Sequence, residues 1–144
     1  MRKFKSILLV DDDPITNFLQ ERVLKNMELA EEIRVVNNGE DGIKCLNEHF
    51  CFKSKRAPDI ILLDINMPVM DGFEFLKTFN SLDFENKDNV VIAVLSTSTN
   101  EQDLSKMEVL GIHHYITKPL TEEKVNEFLL NIETNSEGLT TIDN

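Results

Sequence analysis

Short apolar runs that alternate with amphipathic stretches constrain the fold of this chain more than any other feature. The runs ILLV, IILL and VVIAVL are apolar throughout, as is typical of central strands that helices cover on both faces. The pattern predicts strands at about 5–10, 33–36, 59–64, 90–95 and 113–117, with helices between them and after the last. Such an order indicates an α/β fold with a parallel sheet.

Local signals predict where the helices begin and end. Asp13 directly before Pro14 combines a capping side chain with a residue whose fixed φ suits the first helical turn. The second and third helices should follow the turns at 37–39 and 71–72, and the fourth should end at Gly111. The fifth helix has an apolar stripe at helical spacing, formed by Val125, Phe128, Leu129 and Ile132.

Composition indicates one globular domain without a membrane segment. The chain has 144 residues, of which 41% are apolar and 28% charged, an ordinary balance for one hydrophobic core. We expect this domain to span residues 1–134 and a polar, flexible tail to occupy 135–144. The basic start MRKFKS precedes only the short run ILLV, which is no signal-peptide core, and no later run reaches membrane-spanning length. These features predict a cytoplasmic protein without a membrane partner.

The strongly acidic charge of the chain restricts its partners. The formal net charge is −11, which argues against nucleic acid, because lysine and arginine side chains supply the sequence-independent part of that binding. Protein partners or a small phosphate donor fit this charge better.

The two cysteines offer no obvious disulfide. Cys45 and Cys51 lie in one predicted helix, and their spacing would turn the two side chains to different faces of that helix. We therefore expect buried, reduced thiols.

Carboxylates and one lysine follow the predicted strands at their carboxyl ends. Asp11 and Asp12 follow the first strand, Asp64 ends the third, and Lys118 follows the fifth. In an open parallel sheet these ends meet at one edge, where ligands bind. Carboxylates about 4 Å apart repel one another by roughly 4 kcal/mol at an effective dielectric near 20, so we expect a cation among them, and Mg²⁺ is the natural candidate. Helix capping is the commoner role of a strand-end aspartate and suits Asp13, but adjacent acids are a poor way to cap one helix.

Four motifs, in this order and spacing, resemble the receiver domain of two-component response regulators. They are ILLVDDDP at the first strand end, IILLDINMPVMDGFEFL around Asp64, VLSTS at the fourth strand end and YITKPL at the fifth. The resemblance covers about residues 5–132 and is to the single-domain, chemotaxis-regulator-like kind. It implies a flavodoxin-like doubly wound (βα)5 fold, in which five parallel strands have the order 2-1-3-4-5.

The resemblance implies a role for each residue of the acidic site. Asp64 matches the phospho-acceptor, a carboxylate that attacks the phosphorus of a phosphohistidine. Asp12 and Asp64 match direct Mg²⁺ ligands, with the backbone carbonyl of Asn66 as a third ligand and Asp11 held through water. Lys118 would contact a phosphoryl oxygen, and its bond to the following proline would be cis.

The resemblance also implies a conformational switch. Ser96 would bond the phosphoryl group, and its inward movement would free space for Tyr115. The tyrosine ring would be exposed in the resting protein and packed inward after phosphorylation. A downstream protein would read the surface of the fourth helix, fifth strand and fifth helix. The alternative for Tyr115 is simple packing, which is commoner for a tyrosine in an edge strand.

Two departures from the family pattern accompany these matches. Thr97 stands where the family commonly has a smaller residue, and its branched side chain would crowd the mouth of the site. His113 and His114 stand where small or acidic residues are usual. We interpret the histidines as turn and strand residues rather than as a metal site.

These observations predict a phosphorelay receiver that takes a phosphoryl group onto Asp64 from a histidine kinase or a phosphotransfer protein and signals by protein contact. It would catalyse only its own phosphorylation and dephosphorylation. Two alternatives stay open: a degenerate or sink-type receiver that acts as a binding scaffold, and a Mg²⁺-dependent aspartyl-phosphate phosphatase. The phosphatase needs a second acid two residues after its nucleophile, and Asn66 occupies that position.

Overall fold

The structure is a computed structural model that describes residues 4–48, 56–67, 69–84, 87–97, 101–134 and 140–142. Its strands are β1 (Phe4–Val10), β2 (Ala30–Val36), β3 (Ile60–Asp64), β4 (Val91–Ser96), β5 (His114–Thr117) and β6 (Thr140–Ile142). Its α-helices are α1 (Pro14–Asn26), α2 (Gly39–Asn47), α3 (Gly72–Ser81), α4 (Glu101–Val109) and α5 (Glu122–Thr134), and a 3₁₀ turn spans Lys87–Asn89.

The sheet has the strand order β2-β1-β3-β4-β5-β6, and all its neighbouring strands are parallel. The predicted order 2-1-3-4-5 is therefore confirmed for the first five strands. Val10 pairs with Leu63, and Asp64 pairs with Leu95 in the next strand. This register brings the carboxyl ends of the central strands to one edge, where the candidate site residues follow.

The two faces of the sheet carry separate cores, as the uninterrupted apolar runs require. One core includes Leu8, Leu63 and Phe75, and the other includes Leu9, Leu62 and Phe128. Because successive strand residues point to opposite faces, a strand covered on both faces must be apolar at every position. β3 is buried along its whole length, which confirms this interpretation of its sequence.

The predicted helix starts are confirmed by side-chain caps. The carboxylate of Asp13 accepts a hydrogen bond from the Ile15 N–H at 3.1 Å, and that of Asp71 accepts from the Glu74 N–H at 2.9 Å. These bonds satisfy backbone donors that have no partner within the first turn. Past the end of α4, Gly111 has a φ of 81°, a left-handed conformation that only glycine adopts without strain.

The sixth strand was not predicted. Thr140–Ile142 lies within the expected flexible tail, yet it pairs in parallel with β5, and the Ile142 side chain is 2% exposed. A three-residue strand with one apolar residue has too little periodicity to be found in a polar sequence. The remaining tail positions, 135–139 and 143–144, lie outside the described residues, and the domain boundary at 134 stays a prediction.

The prediction of reduced thiols was wrong for Cys45, which is disulfide-bonded. That prediction assumed one helix through both cysteines, but α2 ends at Asn47, and the next residue, Glu48, is extended with φ −88° and ψ 113°. Helical spacing therefore does not apply between the two positions. Cys51 itself lies outside the described residues.

No helix in the described part of the chain is long and apolar enough to cross a bilayer.

Candidate functional site

Three carboxylates converge at the carboxyl edge of the sheet. Asp11 and Asp12 follow β1, Asp64 ends β3, and one oxygen from each lies within 4.8 Å of the others. Asp11 is 1% and Asp64 4% exposed, whereas Asp12 is exposed. The cluster therefore forms a cleft with a buried floor and one open side. Oxygen donors of this kind fit a hard divalent cation such as Mg²⁺.

Lys118 lies against the buried floor of the cleft. Its ammonium is 2.8 Å from Asp11 Oδ2 and 3.4 Å from Asp64 Oδ1. Its backbone N–H donates to the Ser96 carbonyl at 2.8 Å, and its peptide bond to Pro119 is cis, as the resemblance implied. Three carboxylates against one ammonium leave an excess of negative charge, which a divalent cation would offset.

Burial controls the titration of the site. It raises the pKa of Asp64 to about 6; the Lys118 charge opposes the rise, the Asp11 charge adds to it, and a hydrogen bond from the Asn66 N–H opposes it again. Burial alone would lower the pKa of Lys118, but its hydrogen bond to Asp11 and the charges of both carboxylates outweigh it, so this pKa is raised. The lysine therefore stays charged while Asp64 holds its proton more tightly than an ordinary aspartate.

The oxygens of the two buried carboxylates are used differently. Asp11 Oδ1 accepts from the Asp13 N–H at 3.0 Å, and its Oδ2 accepts from Lys118. Asp64 Oδ1 accepts from the Asn66 N–H at 3.3 Å and faces Lys118. Among the described residues nothing donates a hydrogen bond to Asp64 Oδ2. Asp64 thus keeps one oxygen available for chemistry, whereas both oxygens of Asp11 are engaged.

Sequence analysis missed Asn17, which supports the floor of the site from α1. The Asn17 side chain is buried, and its Nδ2 donates to the Asp11 carbonyl at 2.8 Å and to Asn37 Oδ1 at 3.3 Å. It therefore ties the loop after β1 to the loop after β2. The sequence gives little signal for Asn17, because it is a polar residue in a predicted helix. Which face of that helix is buried becomes known only when the helix is packed on the sheet.

Gly72 lets α3 begin close to the end of β3. Its N–H donates to the Ile65 carbonyl at 3.0 Å, and a Cβ at this position would lie 2.6 Å from the Ile65 Cα and 3.0 Å from the Asp64 carbonyl oxygen. No larger residue fits without moving the backbone that carries the acceptor candidate. Asp71 thus caps the helix, and Gly72 sets the shape of the site.

Ser96 and Tyr115 lie deeper than expected. Ser96 ends β4 and is fully buried, and Tyr115 in β5 is also 0% exposed. The ring belongs to the core that includes Met107 of α4. The expected exposed ring of the resting protein is therefore not observed, and this structure has the inward position. Thr97, the next residue after Ser96, is exposed.

The two histidines lie away from the carboxylates. His114 pairs with Ala93 at the start of β5, and its ring meets Phe128 edge-on with centroids 5.2 Å apart. Burial, followed by the charge of His113, lowers the pKa of His114. This packing agrees with their interpretation as turn and strand residues.

A flavodoxin-like parallel sheet with an acidic cluster and a lysine at its carboxyl edge defines a class of α/β proteins whose strand-end carboxylates could hold a cation. The chain belongs to the response regulator receiver domain family, whose sequence model matches residues 7–130. It is accordingly a two-component receiver, as the four motifs predicted.

Individual relatives agree with this assignment. The crystal structure of a two-component response regulator from Cytophaga hutchinsonii has a TM-score of 0.79 and 36% identity, and the match covers 94% of this chain and 100% of that one. Response regulator Rcp1 of Synechocystis sp. is 30% identical over 132 residues, 90% of this chain and 87% of Rcp1.

A further relative is an enzyme of greater length. The protein-glutamate methylesterase/protein-glutamine glutaminase of Halalkalibacterium halodurans is 35% identical over 130 residues, which are 86% of this chain and 34% of that protein. Because the match spans only about a third of the enzyme, the activity in its name does not carry over to this chain.

Proposed function

We propose that Asp64 accepts a phosphoryl group from a phosphohistidine on a histidine kinase or a phosphotransfer protein, and that the phosphorylated chain signals by protein contact. The observation that carries this proposal is a buried carboxylate, Asp64, whose Oδ2 accepts no hydrogen bond from the described residues. Its other oxygen lies 3.4 Å from the Lys118 ammonium. A nucleophile and a positive charge for the transferred group therefore occupy one cleft.

The transfer itself needs only one carboxylate oxygen. Asp64 Oδ2 attacks phosphorus and forms an O–P bond, the P–N bond to the donor histidine breaks, and the released imidazole keeps the electron pair of that bond. The reacting carboxylate must be ionised, and its raised pKa of about 6 leaves it largely so at neutral pH. Lys118, already turned into the cleft, then binds a phosphoryl oxygen as a point charge.

The residues present fit Mg²⁺ as the cofactor. Asp12 and Asp64 would bind the ion directly, the carbonyl of Asn66 would be a third ligand, and Asp11 would hold it through water. Bound Mg²⁺ would supply positive charge that offsets the carboxylate and phosphoryl oxygens. Ser96, buried at the end of β4, is the hydroxyl that would bond the phosphoryl group, with Tyr115 as the switch residue.

The surface next to the site supports a protein as the phosphoryl donor. Ile15, Phe18 and Leu19 of α1 are exposed large apolar side chains, and they lie on the helix that begins beside Asp12 and Asp13. Exposed apolar side chains that gather on one element mark contact surfaces. We assign this surface to the phosphohistidine-bearing partner.

We place the output contact on a second surface of the protein, and the protein in the cytoplasm. A downstream protein would bind the face of α4, β5 and α5, where β6 now covers the edge of β5. The net charge of −11 supports protein partners rather than nucleic acid, and neither nucleic acid nor a membrane is part of this proposal.

Incubation with acetyl phosphate and Mg²⁺ tests the acceptor. Intact mass spectrometry should show one added phosphate on the wild-type protein and none on Asp64→Asn or in the presence of EDTA. Asp71→Asn is the matched control, because that carboxylate caps α3 and should leave phosphorylation unchanged.

Each opposite result identifies an alternative. Phosphate uptake by Asp64→Asn would overturn the acceptor assignment. A wild-type protein that takes phosphate from neither acetyl phosphate nor any kinase would be a binding scaffold. Sustained hydrolysis of a small phosphate ester would favour a phosphatase.

A further inference from the structure

Lys124 is a buried lysine in a position that ordinarily disfavours a cation. It is the third residue of α5, its backbone N–H donates to Thr121 Oγ1 at 3.2 Å, and its side chain is 5% exposed. The first turn of a helix favours negative charge because of the helix dipole, and a buried ammonium loses its hydration. Helix formation and burial both oppose a lysine here, so its contacts must explain its presence.

The Lys124 ammonium binds the backbone on both sides of Lys118. Its Nζ donates to the Thr117 carbonyl at 2.8 Å, to Thr117 Oγ1 at 3.3 Å and to the Pro119 carbonyl at 3.1 Å. Within the described part of the chain no carboxylate forms an ion pair with it. All three acceptors belong to the two residues that flank Lys118.

The Lys118 backbone is therefore held from two directions. The Ser96 carbonyl accepts its N–H at 2.8 Å, and Lys124 holds the carbonyls before and after it. The Lys118 side chain leaves this fixed backbone and reaches Asp11 and Asp64 at 2.8 and 3.4 Å. A fixed backbone limits where the flexible lysine side chain can place its ammonium. The side chain then loses less conformational entropy when it binds a phosphoryl oxygen.

We propose that Lys124 is a positioning residue: its buried ammonium fixes the turn around Lys118 so that the Lys118 ammonium lies in the cleft where the phosphoryl group arrives. The inference rests on the proposed function, since it concerns how the same site binds phosphoryl oxygens. It predicts a defect in phosphoryl binding without a loss of Mg²⁺ affinity. Lys124 contacts neither Asp11, Asp12 nor Asp64, and a displaced Lys118 ammonium would compete less with Mg²⁺ for their charge.

Lys124→Met tests this inference, because it keeps the length of the side chain and removes the ammonium. With saturating Mg²⁺, the affinity for beryllofluoride should fall about tenfold, which corresponds to about 1.4 kcal/mol. The Mg²⁺ affinity without beryllofluoride, measured by calorimetry, should not fall by more than about twofold below that of the wild type. Lys124→Gln, which keeps a donor but no charge, should show the same separation and serves where the methionine variant folds poorly.

A double-mutant cycle separates positioning from general stability. If Lys124 acts through Lys118, then Lys124→Met should cause no further loss of beryllofluoride affinity in a Lys118→Met protein. Lys87→Met is the matched control, because Lys87 also donates from a half-buried ammonium to two carbonyls, those of Asn80 and Leu82 at 2.7 and 2.6 Å. That variant should bind beryllofluoride as the wild type does.

The outcomes distinguish this inference from the function on which it rests. Wild-type protein that fails to bind beryllofluoride in Mg²⁺ overturns the proposed function and the inference together. If the wild type binds beryllofluoride and both Lys124→Met and Lys124→Gln bind it with the same affinity as the wild type, only the inference is overturned. It is also overturned if Mg²⁺ and beryllofluoride affinities fall together, or if the loss persists in the Lys118→Met background.

Discussion

At the scale of single residues, the site holds charges that a stable core would exclude. Asp11 and Asp64 are almost fully buried, close to each other, and share one lysine. Burial outweighs the compensating charge of Lys118, and the Asp11 charge adds to it, so the pKa of Asp64 is raised rather than lowered. A carboxylate of this kind reduces the stability of the metal-free protein whenever it is ionised, because its charge is buried.

Asp64→Asn should stabilise the metal-free protein at neutral pH and have little effect near pH 4. The folded protein has a pKa of about 6 at Asp64, above the ordinary value of 3.8, so the folded state binds this proton more tightly than the unfolded state. Stability therefore falls as the pH rises from about 4 to about 6 and stays low above that range. Asparagine removes this loss and should raise the free energy of unfolding by about 1–2 kcal/mol at pH 7.5, once solvent screening is allowed for. Urea unfolding in EDTA at both pH values measures it.

Asp13→Asn is the control of opposite sign. The Thr16 hydroxyl and then the Ile15 N–H lower the pKa of Asp13 by hydrogen bonding to its carboxylate. This group contributes stability above its ordinary pKa and loses it as the pH falls through the lowered value. Its replacement should not stabilise the protein at neutral pH. If Asp64→Asn raised the free energy of unfolding equally near pH 4 and at pH 7.5, the electrostatic explanation would be contradicted.

At the scale of elements, β6 changes which strand forms the edge of the sheet. β5 has a neighbour on each side, the Thr117 hydroxyl donates to the Ile142 carbonyl at 3.3 Å, and Ile142 joins the core that contains Phe128. This short strand, in which the Ile142 side chain is buried, is enough to cover the edge, because the β5 backbone supplies its hydrogen-bond partners.

Ile142→Ala should lower the free energy of unfolding by about 1–3 kcal/mol, since full burial of an isoleucine contributes roughly that amount. Deletion of residues 135–144 should lower the free energy of unfolding by no more than a similar amount. The conformational entropy lost when β6 docks offsets part of the stabilisation from burying Ile142. Urea unfolding measures both variants, and hydrogen exchange of the β5 amides should quicken in each.

Leu130→Ala is the control for this strand, because Leu130 is 61% exposed and should change stability by less than about 0.5 kcal/mol. Wild-type stability and unchanged β5 exchange in the Ile142 variant would show that β6 contributes nothing to the folded state.

At the scale of the whole molecule, the site and the proposed output face share the strand pair β4–β5. Ser96 pairs with Thr117, and Val94 pairs with Tyr115, so the buried hydroxyl at the cleft and the buried ring lie on neighbouring strands. Tyr115 already packs inward, in the core that also includes Met107 of α4. Phosphorylation would then act on the face of α4, β5 and α5 through the Tyr115 ring, which already takes its inward position before any phosphate is bound.

Beryllofluoride with Mg²⁺ should perturb amide NMR signals around Ser96, Tyr115 and α5 as well as at the metal ligands. Ser96→Ala should keep the changes at the ligands and lose those on the output face, because it removes the hydroxyl that we propose bonds the phosphoryl group. Changes confined to the ligands in the wild-type protein would remove the switch from this account.

The sequence alone determined the layers of the fold and most of the site. Apolar runs without alternation require strands covered on both faces, and chain direction then brings Asp11, Asp12, Asp64 and Lys118 to one edge. These inferences succeeded because they depend on local pattern and on the handed, parallel geometry of βαβ units. The helix caps at Asp13 and Asp71 are local in the same sense.

Only the tertiary structure decided what depends on contacts between distant segments. The docking of Thr140–Ile142 on β5, the buried ring of Tyr115 and the supports from Asn17 and Lys124 all join residues whose neighbours the sequence does not specify. In each case burial and hydrogen bonding in the folded chain outweigh the local preference, which for Lys124 is a helix start that disfavours a cation. The sequence thus determines which groups can do the chemistry, and packing determines how they are held.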